Sequence, residues 1–153
     1  MPIEKLKQFL DRERVKYVSI AHSPAFTAQE IAAAAHVPGN ELAKTVVVHL
    51  DGKIGMAVLP ASRKIILDDL REAAGVEQAR FATEDEFKRL FPDCETGAMP
   101  PFGNLYGMDV YAATSLPSDH EIAFNAGSHT ELIKMAYGDF ARLVKPKVAS
   151  FTT

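Results

Sequence analysis

The feature that most constrains the fold is a pair of β-prone runs joined by Asp51-Gly52. The first run, KTVVVHL, ends at Leu50, and the second, IGMAVLP, begins at Ile54. Asp-Gly favours a two-residue turn with positive φ at both positions, and the twist of that turn matches the twist of the flanking strands. The sequence therefore predicts an antiparallel β-hairpin, against which the other elements must pack.

Helical signals lie on both sides of this hairpin. Apolar periodicity, capping residues and terminating Gly or Pro predict helices over residues 3–14, 31–37, 67–74, 83–91 and 139–144. Two of these helices begin at capping boxes, Thr27 with Glu30 and Thr83 with Glu86. Together with the hairpin, these helices indicate a fold that combines both element types.

Further strands are predicted before and after the hairpin, over residues 17–22, 108–114 and 121–127. The run 130–137, TELIKMAY, fits a strand or a helix, and we favour a strand because Gly127 precedes it and Gly138 follows it. Strands and helices are mixed without strict alternation. The sequence predicts a mixed α/β fold in which a mixed, largely antiparallel sheet is flanked by helices.

The composition is that of an ordinary globular chain, with 153 residues, 47% hydrophobic residues and 24% charged residues. We expect a single domain over residues 1–153 and a cytoplasmic protein, because no apolar leader or membrane-length run is present. Cys94 is the only cysteine, so no intramolecular disulfide forms. The neighbouring Asp93 and Glu95 should raise its pKa, which argues against a nucleophilic thiolate.

The charged residues do not identify a partner. The net charge is −3, and a late group of basic residues, Lys134, Arg142, Lys145 and Lys147, is explained as well by a solvated surface as by RNA. The five histidines lack metal-ligand spacing, and the common hydrolase and nucleotide-binding motifs are absent from the sequence. We therefore predict no metal and no cofactor.

Three segments have the features of a binding site. Lys44 opens the apolar first run of the hairpin, where it is either a snorkelling edge lysine or an anion contact. Residues 125–129 end a predicted strand with small and polar residues, which an ordinary turn also explains. The loop 95–103, ETGAMPPFG, holds two glycines and two prolines and so fixes its backbone groups at set angles. That loop is either a tight surface turn or a site whose backbone is functional.

Taken together, these segments resemble those of a known family. HSPAFTAQE, LAKTVVV, GAMPPFG and FNAGSHTE, in this order and at these separations, are similar to the YbaK/prolyl-tRNA synthetase-associated editing domain, whose members hydrolyse mischarged aminoacyl-tRNA. The resemblance extends from about His22 to the strand after His129. It implies that family's fold and, as substrate, the terminal adenosine of a mischarged tRNA.

The resemblance also implies roles for individual residues. The implied catalytic residues are Lys44, Gly97, Pro101 and His129, and the implied substrate-binding residues are His22, Met99, Phe102, Gly103, Asn125, Ala126, Gly127 and Ser128. Backbone N–H groups of the loop would bind the developing oxyanion. A ribose hydroxyl of the substrate would help to activate water. Lys44 would bind the terminal phosphate or ribose as a point charge, with a general-base role as the alternative.

The position of His129 bears on which amino acid is removed. Relatives that clear cysteine from proline tRNA tend to carry a basic AGKRG-like run here, whereas alanine-clearing relatives carry a histidine after Ala-Gly-x, as AGSH does. The resemblance therefore favours alanine on proline tRNA over cysteine. A domain of this kind must read the acceptor end of the tRNA itself or rely on a partner synthetase.

Two other functions stay open on the sequence. One is a non-catalytic module that binds an adenosine-like ligand or tRNA end, or that docks on a synthetase. The other is a conventional hydrolase that uses Cys94 or a histidine. The presence of Lys44, Gly97, Pro101 and Gly127 favours the editing enzyme, because a pure docking domain would not need these pocket residues.

Overall fold

The strands of the protein are divided between two sheets. The computed structural model describes residues 4–25, 28–35, 37–38, 40–116 and 120–153. The strands are β1 Tyr17–Ala21, β2 Ala43–Leu50, β3 Lys53–Pro60, β4 Ala79–Phe81, β5 Val110–Ala113, β6 Glu121–Ser128, β7 Glu131–Ala136 and β8 Lys147–Ala149. One sheet has the order β4-β2-β3-β5-β8 and the other the order β1-β7-β6. The pairs β3–β5 and β5–β8 are parallel and the others antiparallel, so the predicted mixed, largely antiparallel arrangement is confirmed.

The α-helices flank these sheets. They are α1 Glu4–Arg12, α2 Ala28–Ala35, α3 Leu67–Ala74, α4 Glu84–Phe87 and α5 Tyr137–Val144, and 3-10 turns cover Lys88–Leu90 and Gly103–Tyr106. The helix α3 ends where the sequence predicts, at Gly75, which has a φ of 69°. None of the helices in the described ranges is both long enough and apolar enough to span a bilayer.

The central hairpin forms as the sequence predicts. Asp51 and Gly52 have φ values of 47° and 88°, so both turn positions lie in the left-handed region that a tight hairpin turn requires. The turn fixes the register along both strands, from Leu50 opposite Lys53 to Ala43 opposite Pro60. The strand β3 is buried along most of its length, because Met56 and Val58 lie in one hydrophobic cluster and Ala57 and Leu59 in another.

The capping box at the start of α4 is confirmed. The backbone N–H of Glu86 donates to Oγ1 of Thr83 at 3.3 Å, and the backbone N–H of Thr83 donates to the Glu86 carboxylate at 2.8 Å. The helix is shorter than predicted, because α4 ends at Phe87 and a 3-10 turn replaces its second half. The first predicted capping box depends on Thr27, which lies outside the described residues.

The ambiguous run 130–137 is mostly a strand, as favoured from its flanking glycines. It forms β7, which pairs with both β1 and β6. Its last residue, Tyr137, begins α5, two residues before the predicted helix start at Asp139. The short strands β4 and β8 were not predicted, because three residues carry too little periodicity to identify a strand.

The two sheets meet at the start of β2. Leu42, just before β2, forms an isolated parallel bridge with Ala123 of β6. The N–H of Ala123 donates to the carbonyl of Glu41 at 2.9 Å, and the N–H of Ala61 donates to the carbonyl of Leu42 at 2.7 Å. These bonds hold the ends of the hairpin beside the middle of β6. They place Lys44 on the same side of the molecule as the bulge of β6.

Candidate functional site

The Gly/Pro-rich loop 95–103 is fastened to an irregularity in β6. The pairing of β6 with β7 is interrupted by a bulge that contains Gly127, and a bulge leaves backbone groups unpaired within the sheet. The N–H of Glu95 donates to the carbonyl of Gly127 at 2.8 Å, and the N–H of Gly127 donates to the carbonyl of Ala98 at 2.9 Å. The loop and the bulge therefore form one hydrogen-bonded unit.

Two glycines make this unit possible. Gly97 has a φ of 88° and Gly127 a φ of 99°, values that residues with a side chain rarely adopt. A Cβ added to Gly97 would lie 3.7 Å from Cε1 of His129, which is an ordinary contact distance. The need for glycine at position 97 therefore comes from its backbone conformation and not from crowding.

The imidazole of His129 forms a further hydrogen bond with the loop. Its Nε2 atom lies 3.0 Å from the carbonyl oxygen of Thr96. Because a carbonyl oxygen only accepts, Nε2 carries the proton in this contact. Thr96, the residue before Gly97, is thus held by a hydrogen bond from His129. The loop connects His129 to Gly97.

Lys44 lies at the start of β2 and is half-buried. Burial lowers its pKa below the ordinary value, and the positive charge of Lys64 lowers it further. Within the part of the chain that the structure describes, no carboxylate forms an ion pair with Lys44. An unpaired, partly desolvated cation of this kind favours an anionic or polar ligand group.

A cavity of about 180 Å³ brings these segments together. Its described lining residues are Ile31, Leu42, Ala43, Lys44, Thr45, Ala61, Gly97 and Asn125. Three predicted site residues, Lys44, Gly97 and Asn125, therefore lie around one space, although they are far apart in the sequence. The other walls are small or apolar, so the cavity suits a small, mostly apolar group with a few polar contacts.

One polar atom in this cavity wall has no partner. The Oδ1 atom of Asn125 is buried, and it forms no hydrogen bond with any residue that the structure describes. Buried polar groups in folded proteins are nearly always hydrogen-bonded, and an exception points to a ligand, a water or a functional role. Asn125 is therefore the clearest sign in the side chains that this cavity binds something.

Other predicted site residues lie behind the loop. Met99 and Phe102 are buried in the hydrophobic core, with 4% and 0% of their surface exposed, and Phe102 packs against other aromatic rings, among them Phe124. A Cβ added to Gly103 would lie only 2.7 Å from Cγ2 of Val110. These residues are not among the described residues that line the cavity, and they support the loop from the core side.

The remaining predicted residues are also outside the cavity lining. Pro101 and Ala126 are buried, Gly127 joins the bulge to the loop, and Ser128 Oγ lies 3.2 Å from Oγ1 of Thr130. His22 Nδ1 lies 2.8 Å from the carbonyl oxygen of Ser23, and its other ring nitrogen, Nε2, is buried without a described partner. These residues shape the surroundings of the cavity.

Five described lining residues were missed by the sequence reasoning: Ile31, Leu42, Ala43, Thr45 and Ala61. The hairpin register carries a signal for one of them. Because the turn at Asp51-Gly52 pairs Ala43 with Pro60, Ala61 has to follow beside the start of β2. Ile31 comes from α2, and its approach to the cavity depends on packing that no local pattern encodes.

Cys94 does not have the features of a nucleophilic thiol in the described structure. Burial raises the pKa of the Cys94 thiol, with a smaller contribution from Asp93, so the predicted direction is confirmed although burial is the main cause. The thiol lies 3.7 Å from the hydroxyl of Tyr106. In the described residues, no group of three or more His, Cys, Asp or Glu side chains is arranged to hold a metal ion.

A larger cavity, of about 550 Å³, lies at the turn end of the hairpin and is lined by charged residues. Two of its charged groups, Asp51 and Arg80, already have partners in the protein. The Asp51 carboxylate accepts the backbone N–H groups of Glu77 and Gln78 at 3.0 and 2.8 Å, and Arg80 donates twice to Glu86. We take this cleft to be structural, and the smaller cavity at Lys44 to be the candidate site.

Comparison with known proteins finds one family model that matches the chain. The model of one family, described as an aminoacyl-tRNA editing domain, matches residues 22–143. That range contains Lys44, the loop 95–103 and the bulge of β6. No curated protein matches the chain.

Several solved structures share the fold. A hypothetical protein superposes with a TM-score of 0.88 at 21% identity, covering 98% of this chain and 100% of that one. A candidate trans-editing enzyme for prolyl tRNA synthetase gives 0.84 at 19% identity, covering 99% and 97%. A candidate signal transduction protein from Marinobacter aquaeolei VT8 gives 0.75 at 16% identity, covering 97% of this chain but 30% of that protein. At these identities the likeness establishes the fold alone.

Proposed function

The chain belongs to the aminoacyl-tRNA editing domain family, and from that premise we propose that it is a deacylase that hydrolyses mischarged aminoacyl-tRNA in trans. The bond broken is the ester between a small amino acid and the ribose of the terminal adenosine. We propose alanine on proline tRNA as the substrate pair. The products are the free amino acid and the uncharged tRNA.

The observation that carries this proposal is the convergence of Lys44, Gly97 and Asn125 on one small cavity. A cation, a loop backbone and a neutral amide can bind a polar ester. They do not form the nucleophile-and-base pair of a conventional hydrolase. The attacking group is therefore water, and a ribose hydroxyl of the substrate helps to activate it. This substrate-assisted route needs binding and orientation from the protein more than proton transfer.

The loop backbone supplies the stabilising donor in this proposal. Within the described residues, the N–H of Gly97 has no hydrogen-bond acceptor, and Gly97 lines the cavity. The developing oxyanion would accept a hydrogen bond from this N–H. The hydrogen bonds that join Glu95 and Ala98 to the bulge of β6 hold the N–H in position. A donor fixed in advance stabilises the transition state without reorganisation.

Lys44 has a binding role in this scheme. Its ammonium lies at the cavity, has no described ion-pair partner, and matches the terminal phosphate or ribose of the tRNA as a point charge. The lowered pKa of Lys44 also fits a general base. We favour binding, because substrate-assisted hydrolysis does not require a protein base.

The size and polarity of the cavity support a small amino acid. A space of about 180 Å³ is smaller than the roughly 300–1,000 Å³ of most ligand pockets, so in this proposal the side chain and ester enter while the nucleoside stays at the mouth. The walls Ile31, Leu42 and Ala61 suit the methyl group of alanine. His129, through its bond to Thr96, controls the position of the loop that forms one wall.

The test is deacylation of a panel of mischarged tRNAs by the purified protein. We expect alanyl and, more slowly, seryl esters on proline tRNA to be hydrolysed faster than cysteinyl esters, and cognate prolyl esters to survive. Binding of uncharged tRNA or adenosine without hydrolysis of any ester would support the non-catalytic module instead.

A further inference from the structure

The amide of Asn125 has a feature that the proposed reaction leaves unexplained. Its Oδ1 atom is buried in the cavity wall and has no described partner. Burying an amide oxygen without a hydrogen bond costs free energy. A ligand that brings a donor to this atom would recover that cost.

The backbone around Asn125 is firmly placed. Asn125 pairs with Leu132 across β6 and β7, and its neighbours Phe124 and Ala126 are buried, with 0% and 1% of their surface exposed. The amide is thus presented by a packed strand and not by a mobile loop. A group held in this way can discriminate between ligands, because its geometry does not adapt.

The cavity has few ways to recognise an amino group. No carboxylate is among its described lining residues, and Lys44 contributes a positive charge. An ammonium group would therefore be repelled unless a neutral acceptor lay near it. The side-chain acceptors on the described walls are the Oδ1 of Asn125 and the hydroxyl of Thr45, and the amide oxygen is the stronger acceptor without a partner.

We infer that Oδ1 of Asn125 accepts a hydrogen bond from the α-amino group of the aminoacyl ester. The inference rests on the proposed deacylase function and names the part of the substrate that this side chain recognises. In the proposed function the amino-acid moiety enters the cavity and the ribose with its base stays outside, so the donor that reaches Asn125 is the amine. The side chain thereby makes the site favour esters that carry a hydrogen-bond donor on the α-carbon, as an α-amino ester does, over small acyl esters without one.

The experiment compares three esters of nearly equal size on the same proline tRNA. Alanyl-tRNA carries the amine, lactyl-tRNA carries a hydroxyl donor in its place, and propionyl-tRNA carries no donor. Each is incubated with the wild type, with Asn125→Ala and with Glu121→Gln. Glu121 is an exposed residue at the far end of the same strand, so its variant is the matched control.

We expect Asn125→Ala to lower the rates with alanyl- and lactyl-tRNA by about tenfold, the size of one hydrogen bond, and to leave the propionyl rate within about twofold. The intrinsic reactivities of the three esters cancel, because each ester is compared with itself across the variants. Glu121→Gln should match the wild type with all three esters. A thermal melt establishes that Asn125→Ala is folded.

Two results would overturn the inference while leaving the proposed function intact. In one, Asn125→Ala lowers the alanyl and propionyl rates by the same factor, which would mean that the amide only shapes the cavity. In the other, it changes neither rate, which would mean that a water satisfies Oδ1. If the wild type hydrolyses none of the esters, the proposed function itself fails.

Discussion

Nε2 of His129 lies 3.0 Å from the carbonyl oxygen of Thr96, so the histidine bonds to the backbone next to the glycine that lines the cavity. His129 itself is not among the described lining residues. Any effect of His129 on a substrate would therefore pass through the loop. A histidine in the cavity wall would contact the substrate directly, so the expected result of a substitution differs between the two arrangements.

His129→Ala removes this bond and should let the Gly97 wall move outward. We expect turnover of alanyl-tRNA to fall modestly and that of larger esters to rise relative to it, by about tenfold in the ratio, a typical value for small changes in a pocket. Deacylation rates for alanyl-, seryl-, cysteinyl- and prolyl-tRNA check this. Uniformly lower rates with the same ranking would remove His129 from substrate selection.

Gly97→Val tests whether the loop backbone is functional. The φ of 88° at Gly97 makes any side chain there strained, at a cost of roughly 1–2 kcal/mol of stability. The matched control is Gly75→Val at the end of α3, where φ is 69° and a Cβ meets nothing within 4 Å. We expect similar losses in the melting temperature but a large loss of activity per folded molecule only in Gly97→Val. Equal activity in the two variants would favour the plain surface turn.

Lys44→Ala separates function from stability. Because burial and Lys64 lower the pKa of Lys44, its charged form is less favourable in the folded than in the unfolded state. The protonated lysine thus costs stability at neutral pH, and the cost falls as pH rises from the lowered folded-state pKa to the unfolded-state pKa. Lys44→Ala should therefore melt no lower than the wild type at pH 7 while losing on the order of 100-fold in deacylation.

Lys44→Arg and Lys53→Ala complete that comparison. The arginine variant should recover little activity, since the planar guanidinium group of arginine replaces the compact ammonium group of lysine. Lys53 is an exposed lysine of the same hairpin, at the end remote from the cavity, and its alanine variant should behave as the wild type. A Lys44→Ala enzyme with full activity would contradict a substrate-binding role for the lysine.

Glu86→Gln tests whether the cleft at the turn end of the hairpin has only a structural role. Hydrogen bonds from Arg80 and from the backbone N–H of Thr83 hold the pKa of Glu86 well below its usual range. A depressed carboxylate pKa contributes stability that is present above the unfolded-state pKa and is lost as pH falls through the folded-state value. The variant should melt slightly lower than the wild type at pH 7, and the difference should shrink in strong acid. Deacylation should be unchanged, and a loss of activity would mean that this cleft takes part in the reaction.

The sequence could predict what depends on local rules. The turn at Asp51-Gly52, the end of α3 at Gly75 and the capping box at Thr83 are each specified by a few adjacent residues, and all three are present in the structure. The three-residue strands β4 and β8 are held by pairing with distant strands. Local patterns do not contain that information.

Part of the cavity lining could also be predicted from the sequence. Lys44, Gly97 and Asn125 were identified from the resemblance of their segments to a family, and they line one cavity. Phe102 belongs to the same loop but lies fully buried in the core, as part of a buried run from Ala98 to Gly103. The inward-facing residues of a Gly/Pro-rich loop cannot be read from its sequence, since the loop has no regular period.

The most direct test of the account is the rate at which the purified protein releases alanine from alanyl-tRNA specific for proline, with enzyme limiting and substrate in excess. The account predicts repeated turnover by the wild type, protection of prolyl-tRNA under the same conditions, and loss of nearly all turnover in Lys44→Ala with its melting temperature preserved. A folded wild type that leaves alanyl-tRNA intact, or a Lys44→Ala protein that hydrolyses it equally fast, would contradict the account.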